Sequence, residues 1–133
     1  MQIRYTVFVT AVLLAGFHGS AAAQGKSGEA VYTEVCSECH AKGDKGSPKF
    51  GDKKAWAKLI KEGQITLTAD GYLGVRQMPP RGGRPDLSVE EFARGVTHMA
   101  RAGGATWKEP DEKAVDAIKA RIAKRQAAKD KKK

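Results

Sequence analysis

The chain has 133 residues, with 24 lysines and arginines against 15 aspartates and glutamates, a formal charge of +9, 41% hydrophobic residues and only two cysteines. That is enough for one small domain with a thin core. The basic excess suits acidic proteins or an anionic membrane surface, but the basic residues are mostly lysines without interleaved aromatics, so a stacking platform for nucleic acid is excluded.

Taken in chain order, Arg4 precedes an apolar run from Val7 to Phe17 that closes on Ala21-Ala22-Ala23. This pattern predicts a secretory signal over residues 1–23 with cleavage before Gln24, too short for a comfortable transmembrane helix. The alternative is an uncleaved anchor, against which His18 and Gly19 interrupt the run. Gly28, Val31, Tyr32 and Val35 then recur at helical spacing and predict an amphipathic helix ending in Cys36-Ser37-Glu38-Cys39-His40. Residues 41–51 read as a loop, because glycine and proline punctuate them. Asp52 is placed to cap a second helix carrying Ala55, Trp56, Leu59 and Ile60, with Gly63 beyond its end. A weaker helix is expected between Thr68 and Arg76, and Met78-Pro79-Pro80-Arg81-Gly82-Gly83-Arg84-Pro85 cannot continue it. Ser88 and Glu91 form a capping-box pattern for a helix with Val89, Phe92, Val96 and Met99 on its apolar stripe, stopped by Gly103-Gly104. After Pro110, a last helix is expected over Val115, Ile118 and Ile122, ending in a basic stretch from Lys124 to Lys133. No period-two strand of useful length occurs.

The chemistry concentrates in C-x-x-C-H. Cysteines at i and i+3 share one helical face, so both sulfurs can reach the two vinyl groups of one porphyrin while His40 offers an imidazole nitrogen to its iron. The rivals are two unpaired thiols, a Cys36–Cys39 disulfide in an oxidising compartment, and half a zinc site completed by His40 and His98. A covalent haem would also thicken the thin core and staple a small domain. For the sixth iron position the sequence offers Met78, Met99, His98 or an open site. Met78 fits best: it sits on an irregular loop, and Pro79 biases it toward extended backbone. Met99 continues the stripe of Phe92 and Val96 and suits simple packing.

From Gly28 to Gly104 the chain resembles the class I c-type cytochromes, and within them the cytochrome c-five group. The resemblance is carried by Gly28 and Tyr32 ahead of Cys36-x-x-Cys39-His40, by Gly46-Ser47-Pro48-Lys49-Phe50-Gly51-Asp52, by Trp56, by Met78-Pro79-Pro80-Arg81-Gly82-Gly83, and by Asp86-Leu87-Ser88. It implies an all-α fold wrapped around one covalent haem c per chain, with an extra C-terminal helix. Cys36 and Cys39 would attach the haem, and His40 and Met78 would be the iron ligands. Pro48 would lie under the His40 ring, where its carbonyl or a neighbouring one accepts the second imidazole N–H, and Trp56 would stand near a haem propionate. His98 stands where this group has an aromatic residue packed on the N-terminal helix, and is expected to face Gly28 and Tyr32 as a neutral packed ring.

The expected organisation is a signal peptide at 1–23, a cytochrome domain at 24–106 and a basic helical extension at 107–133. The implied function is a periplasmic one-electron carrier without catalysis, acting as a monomer between acidic redox proteins or a membrane oxidoreductase, with the basic tail as a peripheral membrane contact. The alternatives are a haem-bearing subunit of a larger periplasmic oxidoreductase, or a peroxidase or gas sensor with displaceable Met78.

Overall fold

The computed structural model describes residues 25–132, so the expected signal segment lies outside the described residues. Ser27 opens the first helical rod by accepting from the Ala30 N–H, and the rod runs through α1 (Gly28–Val31), a wider π turn (Tyr32–Cys36) and α2 (Ser37–His40). In the π turn the Ser37 N–H reaches back five residues to the Tyr32 carbonyl, and the Ser37 hydroxyl donates to Thr33 O at 2.9 Å. Adjacent Val35 and Cys36 are both buried. The helical pattern had anticipated the rod but not this turn, which by widening one coil alters which side chains face inward.

The rod crosses α5 (Val89–Ala102) at very close range. A Cβ on Gly28 would lie 2.4 Å from the Arg94 carbonyl oxygen, and one on Gly95 would lie 2.7 Å from Val31 Cγ1. Glycine on each side of the crossing therefore lets the two backbones approach, and Val31 is fully buried between them. The expected capping box is present at the start of α5, where Ser88 and Glu91 exchange side-chain to backbone hydrogen bonds.

Asp52 caps α3 (Lys53–Lys61) by accepting from Lys54 N and Ala55 N, both at 3.0 Å. Of the face expected on this helix only Trp56 is fully buried, lying over Gly103, where a Cβ would come within 2.5 Å of Trp56 Cβ and Cγ. The weaker helix predicted from Thr68 to Arg76 is α4 (Gln64–Leu73), shifted toward the N-terminus. Gly63, at φ 86°, breaks the chain just before it, and Gly74, at φ 82°, ends it. The helix bears Phe92 of α5 against Gly71, and Tyr72 meets the same ring edge-on at 5.6 Å.

Asp111 caps α6 (Glu112–Asp130). Val115 and Ile118 are buried, Ile118 completely, and the helix lies against α4 and α5. The linker before it is fastened too: Arg101 Nε donates to Trp107 O at 2.6 Å, and Gln64 donates to both Thr97 Oγ1 (2.9 Å) and Lys108 O (3.0 Å). Among the described residues the one extended pairing is a bridge between Val75 and Met78, and no helix is long and apolar enough to cross a membrane.

Candidate functional site

Cys36, Cys39, His40, Pro48, Trp56 and Met78 all line one cavity of about 710 Å³. The volume lies within the roughly 300–1,000 Å³ typical of sites for organic ligands and cofactors. Leu59, Leu67, Gly71, Val96 and Met99 give it apolar walls.

His40 is anchored at the end of the rod. Its Nδ1 donates to the Pro48 carbonyl at 2.9 Å, which fixes the tautomer and leaves Nε2 with its lone pair free for a metal. The backbone seals the same loop, Phe50 N–H donating to His40 O at 2.7 Å. The loop can curl back on His40 because Gly43 and Gly46 take positive φ, as does Lys45. Trp56 stands behind, its ring centroid 6.1 Å from that of His40. Its indole N–H donates to Lys49 O at 2.9 Å, so Trp56 serves the cavity as an apolar wall that also pins the loop.

Met78 enters on a tight turn. Val75 N–H donates to Met78 O at 3.1 Å and Met78 N–H to Val75 O at 2.9 Å, with Arg76 at φ 53° between them. A Cβ on Gly74 would lie 2.9 Å from Pro80 N and 3.1 Å from Met78 O, so this glycine is what allows the turn to fold flat on the end of α4. Met99 also reaches the cavity wall, but from the α5 stripe, where it is 3% exposed.

Cys36 is buried and Cys39 half-buried, and no disulfide joins them. Burial pushes the Cys36 thiol up to about 11, which keeps it protonated at neutral pH. His98 lies apart from them, its ring 5.5 Å from both Tyr32 and Phe50, and its Cβ lies 3.0 Å from where a Gly28 Cβ would sit. It thus faces Gly28 and Tyr32 and does not complete a zinc set. Among the described residues no cluster of three or more His, Cys, Asp or Glu side chains is arranged to hold a metal ion through such ligands alone.

The donor set fits a haem: two thiols one helical turn apart, one imidazole with its second nitrogen engaged, and one thioether on a braced loop, all on an apolar cavity of suitable size. Two arginines of the Met78 loop are held in place. Arg84 is bound by both oxygens of Asp86 (2.9 and 2.8 Å), and Arg81 lies 4.7 Å over the Tyr72 ring while donating to Pro85 O. Sequence reasoning missed Asp70, which lines the cavity from α4 and is clasped by Arg125 of α6. Nothing in the local sequence pairs residues 55 positions apart.

Residues 23–99 match the family model described as cytochrome c oxidase, cbb3-type, subunit III. The chain is 39% identical to cytochrome c-555 of Chlorobaculum thiosulfatiphilum over 77 residues, 55% of this chain and 90% of that one. It is 34% identical to cytochrome c5 of Azotobacter vinelandii over 77 residues, 56% of this chain and 93% of that one. Among solved structures it is similar to a chain from the crystal structure of an electron transfer complex of nitrite reductase with cytochrome c, at 38% identity and a TM-score of 0.55, covering 57% of this chain and 93% of that one.

Proposed function

Because the chain belongs to the class I c-type cytochromes, the family of cytochrome c-555 and cytochrome c5, and so carries covalently bound haem c, we propose that it is an exported one-electron carrier whose iron is held between His40 and Met78. Haem bound in this way supplies a ferric/ferrous couple whose potential methionine–histidine ligation raises. Cys36 and Cys39 would hold the macrocycle through thioether bonds. His40, oriented by the Pro48 carbonyl, presents Nε2 on one side, and Met78 brings a soft sulfur that favours the ferrous state. With His40 and Met78 both given to the iron, the haem would offer no position for a substrate, and the chemistry it would supply is one-electron transfer.

One observation carries this reading: both cysteines, the Pro48-anchored His40 and the braced Met78 line a single apolar cavity. Partners are acidic redox proteins. Lys42, Lys45, Lys49, Lys53 and Lys54 are all exposed, with Lys45 on the cavity wall itself, and the similar cytochrome c comes from a complex with a redox enzyme. A second reading, the haem-bearing subunit of a larger oxidoreductase, is favoured by the description of the matching family model. Recovery of the native chain within a membrane oxidoreductase, rather than alone in the periplasmic fraction, would select it.

The test is production with export and a haem-attachment system. Wild-type protein is expected to keep its chromophore through acid–acetone extraction and to resist cyanide. Met78→Ala is expected to bind cyanide and to lose the thioether-to-iron absorption band. Extraction of all colour would refute the covalent haem, and loss of that band in Met99→Ala but not in Met78→Ala would transfer the ligand role to Met99.

A further inference from the structure

α6 begins at Glu112, beyond the residues 23–99 that the family model covers, so whatever it does belongs to this chain rather than to the shared domain. It is no loose tail, since Ile118 is fully buried. About two turns further along, Arg125 spans to α4. Its Nε lies 2.7 Å from Asp70 Oδ1, and its Nη2 donates to Asp70 Oδ2 at 2.9 Å. The pair is asymmetric in exposure: the Asp70 side chain is 19% exposed and that of Arg125 42%. Asp70 is therefore the inward member, and it lines the same cavity as His40 and Met78.

A carboxylate on the wall of an apolar cavity stabilises whichever oxidation state of the iron is more positive. Left alone, Asp70 would favour the ferric form and lower the potential. A guanidinium that donates to one of its oxygens and lies 2.7 Å from the other opposes that field from outside, at an effective dielectric well below that of water. The same contact ties α6 to α4, the helix that ends in the Gly74 turn carrying Met78.

We propose that Arg125 is a positioning residue through which α6 sets the potential of the haem, by neutralising Asp70 at the cavity wall. The inference rests on the haem reading above, and its failure would look different. A chain without covalent haem shows no couple in any variant, whereas a wrong assignment here leaves a normal couple that the variants do not move.

The experiment is a spectroelectrochemical titration of the full-length holoprotein as wild type, R125Q, D70N, R125K and the double variant D70N/R125Q, with cyanide resistance confirming that Met78 ligation is kept. The midpoint potential is expected to fall in R125Q, to rise in D70N, where Arg125 is left unopposed, and to return close to wild type in the double variant, where both charges are gone. R125K keeps the charge without the two-pronged geometry and is expected to lie nearer wild type than R125Q does. Unchanged potentials in R125Q and D70N would overturn the proposal. So would a double variant displaced as far as R125Q, which would point to packing instead of charge. If R125Q fails to accumulate as holoprotein, D70N decides alone, and a potential that does not rise there is also refutation.

Discussion

Gly28→Ala tests the crossing on which the site is built. A methyl group at this position would sit 2.4 Å from the Arg94 carbonyl oxygen and 2.9 Å from its carbon, both backbone atoms with no rotamer to escape into. Relief requires the rod and α5 to separate by about 1 Å, toward the roughly 3.5 Å at which non-bonded atoms attract. Overpacking of this kind costs about 1–3 kcal/mol, and the upper end applies because the obstacle is backbone. Against it stands a gain in helix propensity of at most about 1 kcal/mol. The net loss of about 2 kcal/mol corresponds to a fall in Tm of about 8–16 °C for a domain near this size. Thermal unfolding of the holoprotein followed by far-UV circular dichroism measures it, with Gly46→Ala as a control, because a Cβ there meets nothing within 4 Å and costs only the strain of its positive φ. A Gly28→Ala Tm within about 3 °C of wild type, on the same scale of degrees per kcal/mol, would show that the helices are not held at this distance.

Pro48→Ala keeps the carbonyl that accepts from His40 Nδ1, so its midpoint potential is expected to stay close to wild type. A large fall in a redox titration would show that the pyrrolidine ring, not the carbonyl, orients the imidazole. The Arg84 guanidinium holds Asp86 down at about 2, below its unfolded value of about 3.9, so this carboxylate's contribution to stability is present above about pH 4 and is lost as pH falls through about 2. Urea unfolding across that window is expected to show a shallower acid loss in Asp86→Asn than in wild type, and equal slopes would remove the pair from the account.

Most of the helical framework was legible because each element declares itself locally. Asp52 and Ser88 sit where a cap must sit, Phe92, Val96 and Met99 recur at the helical period, and Gly103-Gly104 ends their helix. The site's donor atoms were legible for a related reason: C-x-x-C-H and Met78-Pro79 are short runs whose chemistry needs no distant partner to be recognised. What escaped were features fixed by tertiary contact. The start of α4 at Gln64 follows from the positive φ of Gly63 and from the hydrogen bonds of Gln64 to Thr97 and Lys108, which no local pattern reveals. The acceptor of the Trp56 N–H is a backbone carbonyl seven residues earlier, which the residue types alone do not reveal. The stripe of α6 pointed to Ile118, but not to the Arg125–Asp70 contact that ties this helix to α4.

The placement of ion pairs bears on how such a basic protein meets a partner. Among the described residues the five salt bridges use Lys26, Arg84, Arg101, Lys119 and Arg125, and none uses Lys42, Lys45, Lys49, Lys53 or Lys54, of which Lys45 lines the cavity. Exposed pairs contribute only about 0–1 kcal/mol each, so leaving these five lysines without intramolecular partners sacrifices little stability. It leaves their charge directed outward, where it acts over the screening length, about 10 Å at 0.1 M salt and about 3 Å at 1 M. Arg81 and Arg84, by contrast, are held to Tyr72 and Asp86 and brace the methionine loop. The basic residues thus divide by what they touch: those bound to ring or carboxylate hold the Met78 loop, and the unpaired lysines are the ones that, on the carrier role proposed above, would steer an acidic partner.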